Sequence, residues 1–202
     1  MAKKDHSLDQ GIIEAAKQEF LENGFANASL RKIATNANVT IGAIYTRYKT
    51  KDILFASLVS PLIDAINNAF QQLQQTFMST SPTSVEELFH NMESESNAIL
   101  HLLFDDYTSS KLLLCKSSGS SLEHFFDDVV DHKIAASLCF FDQTKTTPQF
   151  KATLKILISS QFQSYFQIIH EGYELAEAKL IMHDIMKYHF AGWQSLFLSY
   201  QS

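Results

Sequence analysis

Between Gly42 and Gly119 the chain contains no glycine, and no segment there reads as a two-residue hairpin turn. Sheets need repeated tight reversals, which draw on glycine and proline. Six glycines and three prolines in 202 residues supply few of them. The apolar positions recur at helical spacing rather than alternating, so the spacing predicts an all-α fold. With 46% hydrophobic residues the chain can bury one or two cores.

Charge is distributed unevenly along these helices. Residues 23–51, NGFANASLRKIATNANVTIGAIYTRYKTK, hold five basic side chains and no Asp or Glu, although the chain as a whole has a formal net charge of −6. All 22 acidic residues therefore lie outside this stretch. Such asymmetry points to a nucleic-acid-binding head on an otherwise acidic body.

The head reads as short helices with defined ends. A first helix is expected over Leu8–Asn23, with Ile12, Ala16 and Phe20 on one face. Gly24 would cap it in the left-handed conformation, and Phe25 would fold back onto it. Ser29 caps a second helix that turns Leu30, Ile33 and Ala34 inward. Asn38 tolerates the positive φ of a tight turn, and Thr40 caps a third helix that packs through Ile44 and Tyr48. Thr50 and Asp52 open a fourth. Two short helices joined by a three-residue turn make a helix-turn-helix.

The second helix of that motif enters the major groove of DNA. Gly42 and Ala43 let the backbone approach closely, the Ala43 or Thr46 methyl suits a thymine methyl, and Arg47 suits guanine. Thr40, Tyr45, Tyr48, Lys49 and Lys51 suit phosphate oxygens.

An ordered series of residues here resembles the N-terminal domain of TetR-family transcriptional regulators. It comprises Ala15, Phe20, Gly24 and Phe25, then Leu30-Arg31-Lys32-Ile33-Ala34, then Val39 through Asp52 with Leu54 onward, about a quarter of the chain. The resemblance implies a sequence-specific regulator: a ligand-released repressor binding a pseudo-palindromic double-stranded DNA operator as a homodimer. The DNA-facing set is Ser29, Arg31, Thr40, Ile41, Gly42, Ala43, Tyr45, Thr46, Arg47, Tyr48, Lys49 and Lys51. Asn38 stands where the family often has glycine, and Ile41 where it often has a polar residue. Residues 1–50 form the expected DNA-binding domain. The fourth helix, 51–79, is the connector, and 51–202 form a helical ligand-binding and dimerisation domain.

Beyond the head, helices are expected over Lys51–Met78, Thr83–Asp105, Tyr107–Lys116, Ser120–Asp142, Pro148–Gly172 and Leu175–Leu198, about nine in all. Pro61 predicts a kink or break near Ser57–Pro61. The last two helices carry apolar stripes suited to a helix-pair dimer interface: Phe150, Leu154 and Leu157 on one, and Ile181, Ile185, His189, Gly192, Trp193 and Leu196 on the other. Body aromatics such as Phe126, Phe140, Phe141 and Phe166 read mainly as core. His101, Phe104, Tyr107, Phe125, Gln161, Phe162 and Tyr165 are candidates to line a pocket for a hydrophobic or amphipathic effector.

Other classes find less support. Glu87-x-x-His90 has di-iron spacing but no second copy, so a helical metal-dependent enzyme is disfavoured, while His90 and His101 remain an option for a metal effector. No phosphate loop or nucleophile elbow is present, and no catalytic residue, metal site or cofactor is expected. Cys115 and Cys139 lack metal-ligand spacing and are expected as buried free thiols. A non-specific architectural DNA-binding protein is the main alternative, though an acidic body opposes non-specific binding. The polar start, MAKKDHSLDQ, reads as neither a signal peptide nor an anchor, and no apolar run approaches the ~20 residues that cross a bilayer. These features lead to the expectation of a cytoplasmic protein without a membrane partner.

Overall fold

The computed structural model describes residues 6–79, 85–138 and 147–201. Among them are nine α-helices and no strand. They are α1 (His6–Asn27), α2 (Leu30–Asn36), α3 (Ile41–Arg47), α4 (Lys51–Ser79), α5 (Val85–Asp105), α6 (Tyr107–Cys115), α7 (Phe125–Leu138), α8 (Pro148–Glu171) and α9 (Leu175–Gln201). The chain divides into two compact units, Met1–Asp64 with Asp106–Glu123, and Ala65–Asp105 with His124–Ser202. Thus α6 and its following loop join the N-terminal unit.

In the first unit, Phe20, Phe25 and Phe55 form an aromatic core. Phe20 meets Phe55 edge-on at 5.0 Å between centroids, and Phe25 lies 6.0 Å from Phe20 and 5.3 Å from Phe55. Burying each ring contributes roughly 1.5–3 kcal/mol. Phe25 reaches this position because Gly24 takes φ 71° and ψ 166°. That is positive-φ backbone with extended ψ, so Gly24 redirects the chain without forming the expected left-handed cap. The Phe25 N–H leaves the helical ladder and donates to Lys116 O at 2.8 Å. Buried Glu19 fixes the next turn, its Oε1 accepting from the Ser29 N–H at 2.9 Å.

The first 22 residues of α4, Lys51–Gln72, are long and apolar enough by length and composition to cross a bilayer, with mean hydropathy 1.5. This corrects the expectation that no such run exists. A single helix of this kind is also what a core helix looks like: Leu54, Phe55, Leu58, Val59, Leu62 and Ile66 are all buried. Of the kink or break expected at Pro61, the break does not occur, since the helix continues through it. A tertiary hydrogen bond lies nearby, where the buried Ser109 hydroxyl of α6 donates to Leu58 O at 3.0 Å.

Helix α7 begins at Phe125, five residues later than expected. The preceding serines are engaged otherwise. Ser121 donates its N–H and hydroxyl to the two carboxylate oxygens of Asp52, each at 2.7 Å, and Gly119 adopts φ 86°. These contacts hold the loop out of helical geometry.

The second unit packs α5 on α9, α7 on α8 and α8 on α9. Thr147 caps α8, its Oγ1 accepting from Phe150 N at 3.1 Å, and Gly172 ends it in the left-handed conformation. Phe162 lies among Tyr165, Phe70 and Phe126, at 5.9, 6.0 and 6.4 Å. Polar groups inside this unit are paired. Tyr165 donates to Ser96 Oγ at 3.1 Å, Lys133 pairs with Glu95, and His183 pairs with Glu93. Burial pushes the Tyr165 phenol far above its ordinary value and holds the His189 imidazole below 6.5.

Candidate nucleic-acid interface

Two side-chain caps and one turn build the α2–α3 surface. Ser29 Oγ accepts from Lys32 N, and Thr40 Oγ1 accepts from Ala43 N at 3.1 Å. Between the helices, Asn38 takes φ 53°, and the N–H groups of Ala37, Asn38 and Val39 donate to Ile33, Thr35 and Ala34 carbonyls. Ile33, Ala34 and Ile44 are buried beneath and lock the helices together. The turn and both caps fall where the sequence places them.

The outer face is open. Arg31, Lys32, Thr40, Gly42, Tyr45, Thr46 and Lys49 are exposed, as is Ile41 at 37%. Thr46 donates its hydroxyl to Gly42 O at 2.8 Å, a back-bond within α3. Nothing inside the domain demands glycine at position 42, since an added Cβ would meet only Thr40 Oγ1, at 3.8 Å. Ala43 is half-buried, as is Ser29, whose side chain serves as the cap.

Three members of the expected DNA-facing set are turned to intramolecular partners. Arg47 pairs through Nε with Asp9 Oδ1 of α1, and its Nη1 donates to Ala43 O at 3.4 Å. Lys51 donates from Nζ to three carbonyl oxygens near the end of α1: Phe25 at 2.7 Å, Ala26 at 3.1 Å and Ala28 at 3.3 Å. Those bonds match the three donors of an ammonium, so Lys51 is a clamp on α1, not a free cation for phosphate. Tyr48 is half-buried, and burial and then the Asp9 charge push its phenol up. Asp9 and Glu19 escaped the sequence-based assignment because acids of α1 carry no local sign that they serve residues 38 and 10 positions away.

Residues 12–58 match the family model for bacterial regulatory proteins of the tetR family. Through this N-terminal segment, about a quarter of its length, the chain resembles TetR-family transcriptional regulators. The structure places the family's helix-turn-helix on α2 and α3. Solved structures with the same fold include a transcriptional regulator (TerR/AcrR family) from Aquifex aeolicus VF5, 18% identical over 90% of this chain and 98% of that one, with TM-score 0.59. FadR from Bacillus subtilis in complex with stearoyl-CoA is 16% identical over 88% and 97%, with TM-score 0.56. The fatty acid degradation regulator FadR from Bacillus halodurans is 16% identical over the same shares, with TM-score 0.53.

The residues expected to line an effector pocket are distributed over both units. Tyr107 belongs to the N-terminal unit, and the other six belong to the second. There Phe162 and Tyr165 are buried, Phe104, Phe125 and Gln161 are half-buried, and His101 is exposed, as is His90. Gln161 donates to Met186 Sδ at 3.3 Å. A shallow groove of about 440 Å³ lies instead along α8 and α9, lined by Ser160, Gln163, Ser164, Gln167, Ile181 and Ile185 among others.

The expected dimer stripe is also redistributed. Phe150, Leu154, His189 and Trp193 are buried within the protomer, so they build its core and cannot form an outer surface. Leu157, Ile181, Ile185 and Leu196 are half-buried, and Gly192 is exposed. Among the described residues of α8 and α9, the large apolar side chains that face outward are Ile156 at 68%, Leu180 at 70% and Tyr188 at 77%. Cys115 is a half-buried free thiol whose pKa burial raises, while Cys139, Phe140 and Phe141 lie outside the described residues.

Proposed function

We propose that this regulator is a ligand-released repressor that binds a pseudo-palindromic operator as a homodimer. The observation that carries the DNA face is Gly42. It is exposed on α3 with free space around it and flanked by exposed Thr40, Ile41, Tyr45, Thr46 and Lys49. A bare backbone among small, hydroxyl and cationic side chains suits a helix seated in the major groove. Arg31, Thr40, Tyr45 and Lys49 hold phosphates, while Gly42, Ala43 and Thr46 meet base edges. Ile41 offers only apolar contact.

Two such helices about 34 Å apart would read two half-sites one turn apart. The exposed apolar residues Ile156, Leu180 and Tyr188 support pairing through α8 and α9. The aromatic setting of Phe162 favours a hydrophobic or amphipathic effector, and the FadR of Bacillus subtilis was solved with stearoyl-CoA. A ligand that prefers the form not matched to the operator releases DNA by shifting populations.

Selection of bound sequences from a random DNA pool tests this directly. A symmetric site bound about 10³-fold more tightly than mixed DNA is the expected result. Equal binding to all sequences would instead identify an architectural protein.

A further inference from the structure

We infer that Asp9 is a specificity-determining positioning residue, which pairs with Arg47 and withholds its guanidinium from DNA, leaving base reading to Gly42, Ala43 and Thr46. This rests on the DNA-binding reading above and assigns α1 a part in it.

The geometry carries the case. Arg47 ends α3, where an extended side chain would be the longest donor on the recognition helix. It is not extended: Nε pairs with Asp9 and Nη1 returns to Ala43 O in its own helix at 3.4 Å. The Arg47 side chain is 21% exposed and Asp9 25%, so both partners are largely withdrawn from solvent. Reading guanine needs two N–H donors of the fork presented together to N7 and O6. The Asp9 carboxylate occupies the Nε edge of the fork and the Ala43 carbonyl holds Nη1 back against α3, so the side chain must leave Asp9 before it can extend toward a base edge.

The contrast with the other cations is informative. Arg31, Lys32 and Lys49 are exposed and form no ion pair among the described residues. Arg47 is the cation within α3 itself, and it is the one held by an acid from another helix. Asp9 therefore acts as an intramolecular competitor for the group best able to impose a guanine preference.

The test is a double-mutant cycle on DNA using the full chain. Operators are selected, and affinities measured at several salt concentrations, for wild type, Arg47→Ala, Asp9→Ala, the double variant and Asp9→Glu. Arg47→Ala alone should leave the selected site unchanged and alter affinity less than about twofold. Asp9→Ala should add a base preference and tighten binding about tenfold, within the span of one good bidentate contact. The double variant should lose that gain, and Asp9→Glu should select the wild-type site. The inference is overturned if Arg47→Ala by itself changes the selected bases. It is also overturned if Asp9→Ala, shown by circular dichroism to be folded, selects the wild-type site with unchanged salt dependence. If Asp9→Ala does not fold, the Arg47→Ala selection decides. Failure of wild type to select any site would overturn the regulator reading together with this one, which separates the two failures.

Discussion

The Lys51 ammonium lies 4.6 Å from the centroid of the Phe25 ring and 2.7 Å from the Phe25 carbonyl oxygen, gripping one residue by its side chain and its backbone. Two further carbonyls complete its shell. Charged hydrogen bonds contribute about 1.5–3 kcal/mol and a cation over a ring about 0.5–1 kcal/mol. Lys51→Met should therefore lower the unfolding free energy by about 2 kcal/mol in denaturant titration. The salt dependence of DNA binding by the folded fraction should stay the same.

Lys49 should behave in the opposite way. It is exposed and outside the core, so Lys49→Ala should leave stability within about 0.5 kcal/mol. Its loss should weaken binding to all sequences alike and reduce the slope of log K against log salt by about 0.9 per half-site. Titrations at several salt concentrations measure both quantities.

Gly42 separates folding from binding. An added Cβ meets nothing closer than 3.8 Å, and alanine is preferred to glycine in a helix by about 1 kcal/mol. Gly42→Ala should raise the denaturation midpoint while lowering operator affinity. A variant both more stable and equally tight on DNA would remove Gly42 from the interface.

The outward residues of α8 and α9 should control association without controlling folding. Leu180→Asp and Tyr188→Asp alter side chains that are 70% and 77% exposed, so protomer stability should change little. Sedimentation should report monomers and operator binding should fall. Trp193→Ala, by contrast, removes a buried side chain and should cost about 3–5 kcal/mol in denaturant titration.

His189 should make stability depend on pH. Its folded pKa is held below 6.5 by burial, so the folded protein favours the neutral imidazole more than the unfolded chain does. The stability this contributes is complete above about 6.5 and is lost as pH falls from there through the lower folded value. Wild type should therefore lose more stability than His189→Gln between pH 7.5 and pH 5.5, as read from denaturant midpoints.

What the sequence disclosed was local. Ser29, Thr40 and Thr50 can be read as caps, and Asn38 as a turn, because each acts on N–H groups a few residues away. Whether a cation is free depends on distant partners: Arg47 is answered from position 9, and Lys51 from carbonyls at 25, 26 and 28. The start of α7 moved for the same reason, since Ser121 is bound by Asp52, 69 positions earlier. On α8 and α9, helical spacing revealed stripes but not which stripe a protomer keeps for itself. Phe150 and Trp193 went inward while Ile156 and Tyr188 stayed out.

The Asp52–Ser121 staple and the Phe25–Lys116 hydrogen bond also set a schedule for synthesis. The N-terminal unit is discontinuous in sequence, closing only with residues 106–123. A ribosome that has released α1 to α4 has produced the helix-turn-helix without the segment that completes its packing. A fragment ending at residue 64 lacks the same contacts and should unfold at a lower denaturant concentration than a chain that includes residues 106–123.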